Sequence, residues 1–99
     1  MVKQIKATEQ FRNWLDDLKD IQGRARIQAR IQRLAAGNPG VHRNLKLSVS
    51  ELKIDVGPGY RVYYTQRQNV LIILLCGGDK ANQPADIELA YHLVNDLEV

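Results

Sequence analysis

The fold is decided by residues 50–80, which read SELKIDVGPGYRVYYTQRQNVLIILLCGGDK. Apolar and polar residues alternate over 52–56, and a period of two is typical of a half-buried β-strand. A Gly-Pro-Gly turn at 57–59 reverses the chain into a second strand that begins at Tyr60. The run at 70–76 is continuously apolar, as in a central strand covered on both faces. These patterns predict three consecutive strands joined by tight turns.

The pairing of the two strands that flank the turn at 57–59 can be predicted from which residues share a face. A three-residue turn pairs Asp55 with Arg61 and Lys53 with Tyr63. We prefer it because it keeps one face entirely apolar. The residues of that apolar face are Leu52, Ile54, Val56, Tyr60, Val62 and Tyr64. The opposite face then presents lysine, arginine and tyrosine, which suits phosphate and nucleic acid.

Two amphipathic helices are predicted on the N-terminal side of these strands. Thr8 is the N-cap of the first helix, and a break at 20–23 separates it from the second, which has Gly37 as its C-cap. Their apolar residues recur at the spacing of a helix that buries one face. These residues are Phe11, Trp14, Leu15 and Leu18 in the first helix and Ile27, Ile31, Leu34 and Ala35 in the second.

Three further elements complete the predicted order. A short first strand lies at 2–6, and the alternation over 45–49 indicates a strand that bends at Ser50-Glu51, where the apolar phase reverses. A third helix begins near Pro84. Its apolar stripe comprises Ile87, Ala90, Tyr91, Val94 and Leu97. The order β-α-α-β-β-β-α predicts an α+β fold, in which a helical hairpin and a C-terminal helix pack on a small, mostly antiparallel sheet.

Length and composition fit one modest domain that covers residues 1–99. The chain is 44% hydrophobic and 25% charged, which is ordinary for a globular domain. No apolar run approaches the roughly 20 residues of a membrane span, and the N-terminus lacks the apolar region of a signal peptide. The single Cys76 ends an apolar strand, so we expect a buried thiol in a reducing compartment. A cytoplasmic protein that does not contact membranes is therefore expected.

The charge is unevenly distributed, with a net value of +3. Residues 24–33 contain four arginines and no acid, whereas residues 86–98 contain four acids and no lysine or arginine. At 100° per residue, Arg26, Arg30 and Arg33 fall within a sector of about 60° opposite the apolar face of the second helix. This row can bind an RNA backbone, or it can be an ordinary solvated helix face.

The two histidines and the single cysteine give little support to other chemistry. His92 falls on the polar side of the third helix, and His42 lies in a predicted loop without a placed partner. No His, Cys and Asp residues have the spacing of a metal site. The sequence therefore predicts neither a histidine pair for catalysis nor a bound metal.

The order of elements and three segments together resemble the RelE/ParE superfamily of bacterial toxins, and within it the small phage-type HigB-like addiction module killer proteins. The segments are SELKI at 50–54, GPGYRVYY at 57–64 and LCGGDK at 75–80, followed by Gln83 and Asp86-Ile87. The resemblance covers essentially the whole chain. The second and third segments together are a fairly specific pair.

This resemblance implies the toxin of a type II toxin–antitoxin module. Such proteins enter the ribosomal decoding site and cut mRNA there, without metal or cofactor. The implied partner is a cognate antitoxin, here a HigA-like helix-turn-helix protein, in a hetero-oligomer with the toxin. Two alternatives stay open: a minority branch, ParE, poisons DNA gyrase instead, and a non-catalytic module would only bind an antitoxin.

Five residues of the strand region are candidates for the chemistry. The resemblance implies that Arg61 is a catalytic phosphate contact, and the fork of a guanidinium matches a phosphate. Lys53 and Lys80 can supply charge and proton transfer, or they can be solvated lysines. Tyr63 can stack on a base or pack in the core. Asp55 orients Arg61, or the two form a plain cross-strand ion pair.

Overall fold

In the computed structural model, which describes residues 2–97, one five-stranded sheet carries helices on both faces. The elements are β1 (Gln4–Ala7), α1 (Glu9–Asp17), α2 (Ile21–Ala35), β2 (His42–Asn44), β3 (Val49–Ile54), β4 (Tyr60–Arg67), β5 (Leu71–Asp79), a 3₁₀ turn (Lys80–Asn82) and α3 (Gln83–Asp96). The strand order is β1-β5-β4-β3-β2, with β1 parallel to β5 and every other pair antiparallel. The predicted α+β class and mostly antiparallel sheet are confirmed, with β2 as an additional strand.

Each face of the sheet has its own apolar core, and the predicted helix stripes supply both. On one face α1 and α2 bury Phe11, Ile27, Ile31, Leu34 and Ala35 against Leu52, Ile54, Tyr60, Val62, Tyr64, Ile72 and Leu74. On the other face α3 buries Ala90 and Val94 against Val49, Tyr63, Ile73, Leu75 and Cys76. The apolar strand that contains Ile72 is therefore central and covered on both faces, as predicted.

The two helix starts of the hairpin are fixed by side-chain caps. Thr8 caps α1 as predicted, because its Oγ1 accepts a hydrogen bond from the Phe11 N–H at 3.0 Å. Asp20 caps α2, which begins at Ile21, so the break between the helices lies at 18–20 and not at the predicted 20–23. Its carboxylate accepts hydrogen bonds from the Gly23 N–H at 3.0 Å and the Tyr60 hydroxyl at 2.7 Å. These bonds lower the pKa of Asp20. Burial, and then the hydrogen bond to Asp20, raises the pKa of Tyr60 to about 12.

A β-bulge interrupts the pairing of β4 and β5. Tyr63 pairs with Cys76, but Tyr64 pairs with Leu74, so Leu75 is one residue more than β4 can match. Leu75 and Cys76 consequently both face α3. The bulge reverses the alternation for the remainder of the strand.

The two glycines after the bulge make room for side chains from opposite faces. A side chain at Gly77 would overlap the ring of Trp14 on α1, and one at Gly78 would overlap the carboxylate of Asp86 on α3. Gly78 pairs with Arg61 of β4. The start of α3 therefore packs directly over the strand position beside Arg61.

The segment before β3 differs from its predicted structure. Residues 45–48 form the turn between β2 and β3, and Leu47 and Ser48 have φ values of 58° and 64°. The predicted strand at 45–49 is therefore wrong, and so is the bend at Ser50-Glu51, since β3 runs through both residues. The apolar phase reverses because both faces of β3 are covered: Val49 packs in the core beneath α3, and Leu52 packs in the core beneath α1 and α2.

The loop between β3 and β4 contains five residues, 55–59, and not three. Gly57 and Gly59 have φ values of 56° and 82°, which glycine adopts without strain. The observed pairs are Ile54 with Tyr60, Lys53 with Arg61, Leu52 with Val62 and Glu51 with Tyr63. The predicted pairs, Asp55 with Arg61 and Lys53 with Tyr63, are wrong by two positions. A shift of two leaves every side chain on its predicted face.

Candidate functional site

Three predicted cationic residues, Lys53, Arg61 and Lys80, converge at the β3–β4 loop and are called the cationic group below. Lys53 and Arg61 are direct cross-strand partners. A Cβ on Gly59 would lie 3.5 Å from Cβ of Lys80 and 3.7 Å from Nη1 of Arg61. The Lys80 N–H donates to the Gly59 carbonyl oxygen at 2.7 Å, which fixes the backbone there. Like charges placed directly opposite each other destabilise a sheet, so this end of the sheet suits an anion.

Arg61 is buried with few partners for its guanidinium. It is 5% exposed, and among residues 2–97 it donates one hydrogen bond, from Nη1 to the Tyr60 carbonyl oxygen at 3.0 Å. Its Nε is buried without a partner in that range. A guanidinium has five N–H donors, and a buried cation is costly unless it is paired. The geometry therefore leaves donors of Arg61 unused.

Asp55 remains near Arg61 although the two are not cross-strand partners. Its Oδ1 lies 3.7 Å from Nη1 of Arg61, and its side chain is 81% exposed. At that distance and exposure the pair contributes little to stability. The predicted contact is present, and it leaves Arg61 open to a stronger anionic ligand.

Tyr63 is placed differently from the prediction. It has no exposed surface and packs beneath α3, so the open polar face predicted for this strand is covered at Tyr63. Burial, followed by the neighbouring Glu51 carboxylate, raises the pKa of Tyr63. In this arrangement Tyr63 is a core residue and is not available to stack on a base.

Glu51 is the residue of this site that sequence reasoning missed. Its side chain is completely buried, and its two oxygens accept hydrogen bonds from Nε of Arg43 and Nε2 of Gln83, both at 2.8 Å. Glu51 thus links the edge strand β2 to the first turn of α3. The sequence did contain a signal, because residues two apart on a strand share a face and Glu51 is two residues before Lys53. The bend predicted at Ser50-Glu51 concealed this signal.

Asp86 lies over Gly78 with one oxygen, Oδ2, buried and without a hydrogen-bond partner among the described residues. Burial, and then the charge of Asp79, raises the pKa of Asp86. The carboxylate form of Asp86 therefore destabilises the folded state at neutral pH.

Replacing Asp86 by asparagine is expected to raise the melting temperature by a few degrees at pH 7, because a neutral amide removes the cost of the buried charge. The folded state raises the pKa of Asp86, so protonation of the wild type relieves the same cost as the pH falls. The gain should therefore shrink toward zero in acid. Thermal unfolding from pH 7 down to pH 3 measures it. Glu88→Gln, at an exposed position of the same helix, is the control, and an equal gain from Glu88→Gln contradicts the explanation.

The three arginines of the predicted row on α2 have different surroundings in the structure. Arg26 and Arg33 are exposed. Arg30 instead donates hydrogen bonds to three backbone carbonyl oxygens, 2.6 Å to Lys53 and 2.9 Å each to Pro39 and Val41. Both terminal nitrogens of Arg30 are engaged with the backbone, and its Nε is buried without a hydrogen-bond partner among residues 2–97. The prediction that Arg30 belongs to a free RNA-binding row is therefore wrong.

The two histidines lie on β2 and α3, and His42 pairs with Leu52, the residue before Lys53. His42 is exposed on β2 rather than in a loop, and His92 is exposed on the outer side of α3. Among residues 2–97, no three His, Cys, Asp or Glu side chains are grouped so as to hold a metal ion. No helix in the same range is long and apolar enough to cross a membrane.

The chain has the fold of the E. coli toxin RelE. A solved structure of a RelE mutant with two arginines replaced by alanine, in the free state, matches it with a TM-score of 0.72 and covers 100% of both chains. The sequences are 14% identical, so this likeness establishes the fold.

A second comparison establishes a family. The chain is 47% identical over 97 residues to an uncharacterized protein of Haemophilus influenzae, with 98% of each chain covered. It belongs to the same family as that protein. No family model matches the chain.

Proposed function

We propose that the chain is the toxin of a type II toxin–antitoxin module and acts as a ribosome-dependent, metal-independent mRNA endoribonuclease of the HigB-like type. The observation that carries the proposal is the cationic group, in which a buried Arg61 with unused donors stands beside Lys53 and Lys80. The RelE fold supports the assignment to toxins of this class.

The proposed reaction uses the RNA as its own nucleophile. The 2′-oxygen forms a bond to phosphorus while the bond from phosphorus to the 5′-oxygen breaks, which leaves a 2′,3′-cyclic phosphate and a 5′-hydroxyl end. Arg61 stabilises the negative charge that builds up on the phosphate oxygens. A lysine of the cationic group protonates the leaving 5′-oxygen, and the proton of the 2′-hydroxyl passes to solvent. Since the cationic group contains no strong base, the ribosome is assigned the task of positioning the 2′-hydroxyl.

The proposed partner is a cognate antitoxin, a HigA-like helix-turn-helix protein that forms a hetero-oligomer with the toxin. Its inhibitory segment should carry acidic or apolar residues, because the surface to be covered includes Lys53 and Lys80. A small helix-turn-helix gene beside this one would support the assignment.

Primer extension on mRNA tests the activity. After expression of the chain in bacteria we expect growth arrest and new 5′ ends within translated mRNAs, and we expect the ends to disappear when translation initiation is blocked. Arrest with intact mRNA and broken DNA would instead identify a ParE-like gyrase inhibitor. Arg61 is only 5% exposed in this structure and reaches RNA only after its surroundings move, so this alternative is tested in the same experiment. Normal growth would indicate a module that only binds an antitoxin.

A further inference from the structure

The start of α3 and the turn before it lie over the position beside Arg61. Residues 80–86 are called the cover below. Four contacts hold them to the sheet and the β3–β4 loop. The Lys80 N–H bonds to Gly59, the Gln83 side chain bonds to Glu51, Asp86 fills the space above Gly78, and the Asp86 carbonyl oxygen accepts a hydrogen bond from Cys76.

The polar groups beneath the cover are poorly satisfied. The atoms Nε of Arg61 and Oδ2 of Asp86 are both buried without a partner among the described residues. An unsatisfied buried polar group has a desolvation cost that no partner offsets. The closed position of the cover is therefore weakly favoured, because opening lets water reach both atoms.

The cover and the remainder of α3 are attached in different ways. Asn82, at the N-cap position of α3, makes no side-chain capping bond to that helix. The turn before α3 is capped instead by Asp79, whose Oδ1 accepts a hydrogen bond from the Ala81 N–H at 3.1 Å, so the beginning of the cover is held together as one piece. The contacts of the cover with the sheet are mostly polar, whereas Ala90 and Val94 anchor the later turns in the apolar core. The first turns can therefore leave the sheet while the later turns stay packed.

We propose that residues 80–86 are a lid that lifts from the sheet as a unit while the later turns of α3 stay in place, and that lifting admits an RNA phosphate to Arg61. The bond between Gln83 and Glu51 is the latch. The identity of the ligand rests on the proposed function, but the opening itself does not.

The single cysteine reports the opening. Cys76 is 1% exposed and its Sγ–H donates to the backbone oxygen of Asp86 in the cover, at 3.6 Å. Burial raises the pKa of Cys76 to about 12. The thiol therefore reacts with a disulfide reagent only after the cover has moved.

Thiol labelling of the full chain under native conditions tests the lid. Gln83→Ala should raise the labelling rate of Cys76 by about tenfold or more, since it removes a hydrogen bond to a buried carboxylate. Gln83→Glu should raise it further by placing a second negative charge against Glu51. Both rates should depend weakly on urea concentration, in contrast to a rate set by global unfolding.

Tyr91→Phe is the matched control at the other end of the helix, where the Tyr91 hydroxyl accepts a hydrogen bond from the Lys46 N–H at 3.3 Å. It should leave the labelling rate unchanged. An equal increase from this variant would show that all of α3 detaches, which overturns the proposal. Labelling of the Gln83 variants only at the rate of global unfolding overturns it as well.

Binding of a short 2′-O-methyl RNA, which cannot be cleaved, tests the ligand separately. If the lid limits access, Gln83→Ala should bind it more tightly, by up to the factor by which labelling increases. Tight binding without that gain overturns the gating of RNA. Faster labelling without any RNA binding supports the opening and overturns the admission of RNA to Arg61, whereas the endoribonuclease proposal is tested separately by the mapping of mRNA ends.

Discussion

Replacing Arg61 by alanine is expected to reduce RNA cleavage by about 10²–10³-fold, the usual effect of removing one preorganised donor to a transition-state charge. The fold should persist, because Arg61 makes few bonds and its nearest counter-ion, Asp55, is already largely exposed. Mapping of mRNA ends and thermal unfolding measure the two effects. Arg61→Lys should retain part of the activity, since it keeps the charge but loses the planar fork.

Arg12→Ala is the control for this experiment, because it removes an exposed arginine of α1 that belongs neither to the cationic group nor to the predicted RNA-binding row of α2. Its cleavage rate should stay close to that of the wild type. If the Arg61→Ala protein is folded and still produces mRNA ends, Arg61 is not the phosphate contact. If the cells stay arrested with intact mRNA and broken DNA, the gyrase alternative replaces the endoribonuclease.

Replacing Arg30 by alanine is expected to lower the free energy of unfolding by about 2–4 kcal/mol. Its hydrogen bonds hold the start of β2 and the end of β3 to α2, at the carbonyl oxygens of Val41 and Lys53. Removal of the guanidinium leaves these acceptors without their charged donor. The loss is large for a domain whose total stability is about 5–15 kcal/mol. Urea denaturation measures it.

The neighbouring arginines of α2 provide matched controls. Arg26→Ala and Arg33→Ala change residues of the same type on the same helix, but both side chains are exposed. Each should alter the free energy of unfolding by no more than about 0.5 kcal/mol. Equal destabilisation by all three substitutions would mean that helix propensity or net charge, rather than the bonds of Arg30, is responsible.

The helices and the central strand could be predicted because their apolar spacing follows directly from burial. Phe11 and Ile27 recur with their partners at helical spacing, and the run ending at Cys76 is apolar enough to require cover on both faces. These are local signals, and local periodicity is the strongest pattern in a single sequence. The same alternation placed Lys53 and Arg61 on one face, whereas Lys80 came from the Gly-Gly-Asp-Lys segment that follows the apolar strand.

The register and the covered face could not be predicted, because both depend on contacts between distant parts of the chain. A five-residue loop and a three-residue loop place Lys53 on the same face, so alternation cannot distinguish their pairings. The burial of Tyr63 depends on where α3 docks, which the sequence around Tyr63 does not encode. Arg30 has the spacing of a solvated arginine, and its role depends on carbonyl oxygens supplied by Pro39 and Val41.

The bulge at Leu75 makes the alignment of β4 and β5 tolerant of one change in chain length. Because Leu75 has no counterpart on β4, a chain that lacked it could still pair Tyr63 with Cys76 and Arg61 with Gly78. The loss would remove one apolar side chain from beneath α3 and restore regular alternation. A deletion at Gly77 would instead displace Gly78 from Arg61 and bring a larger residue under Asp86. The extra residue at the bulge therefore allows the strand to change length by one residue on the side of the core. The pairing of Arg61 with Gly78, beside the cationic group, stays the same.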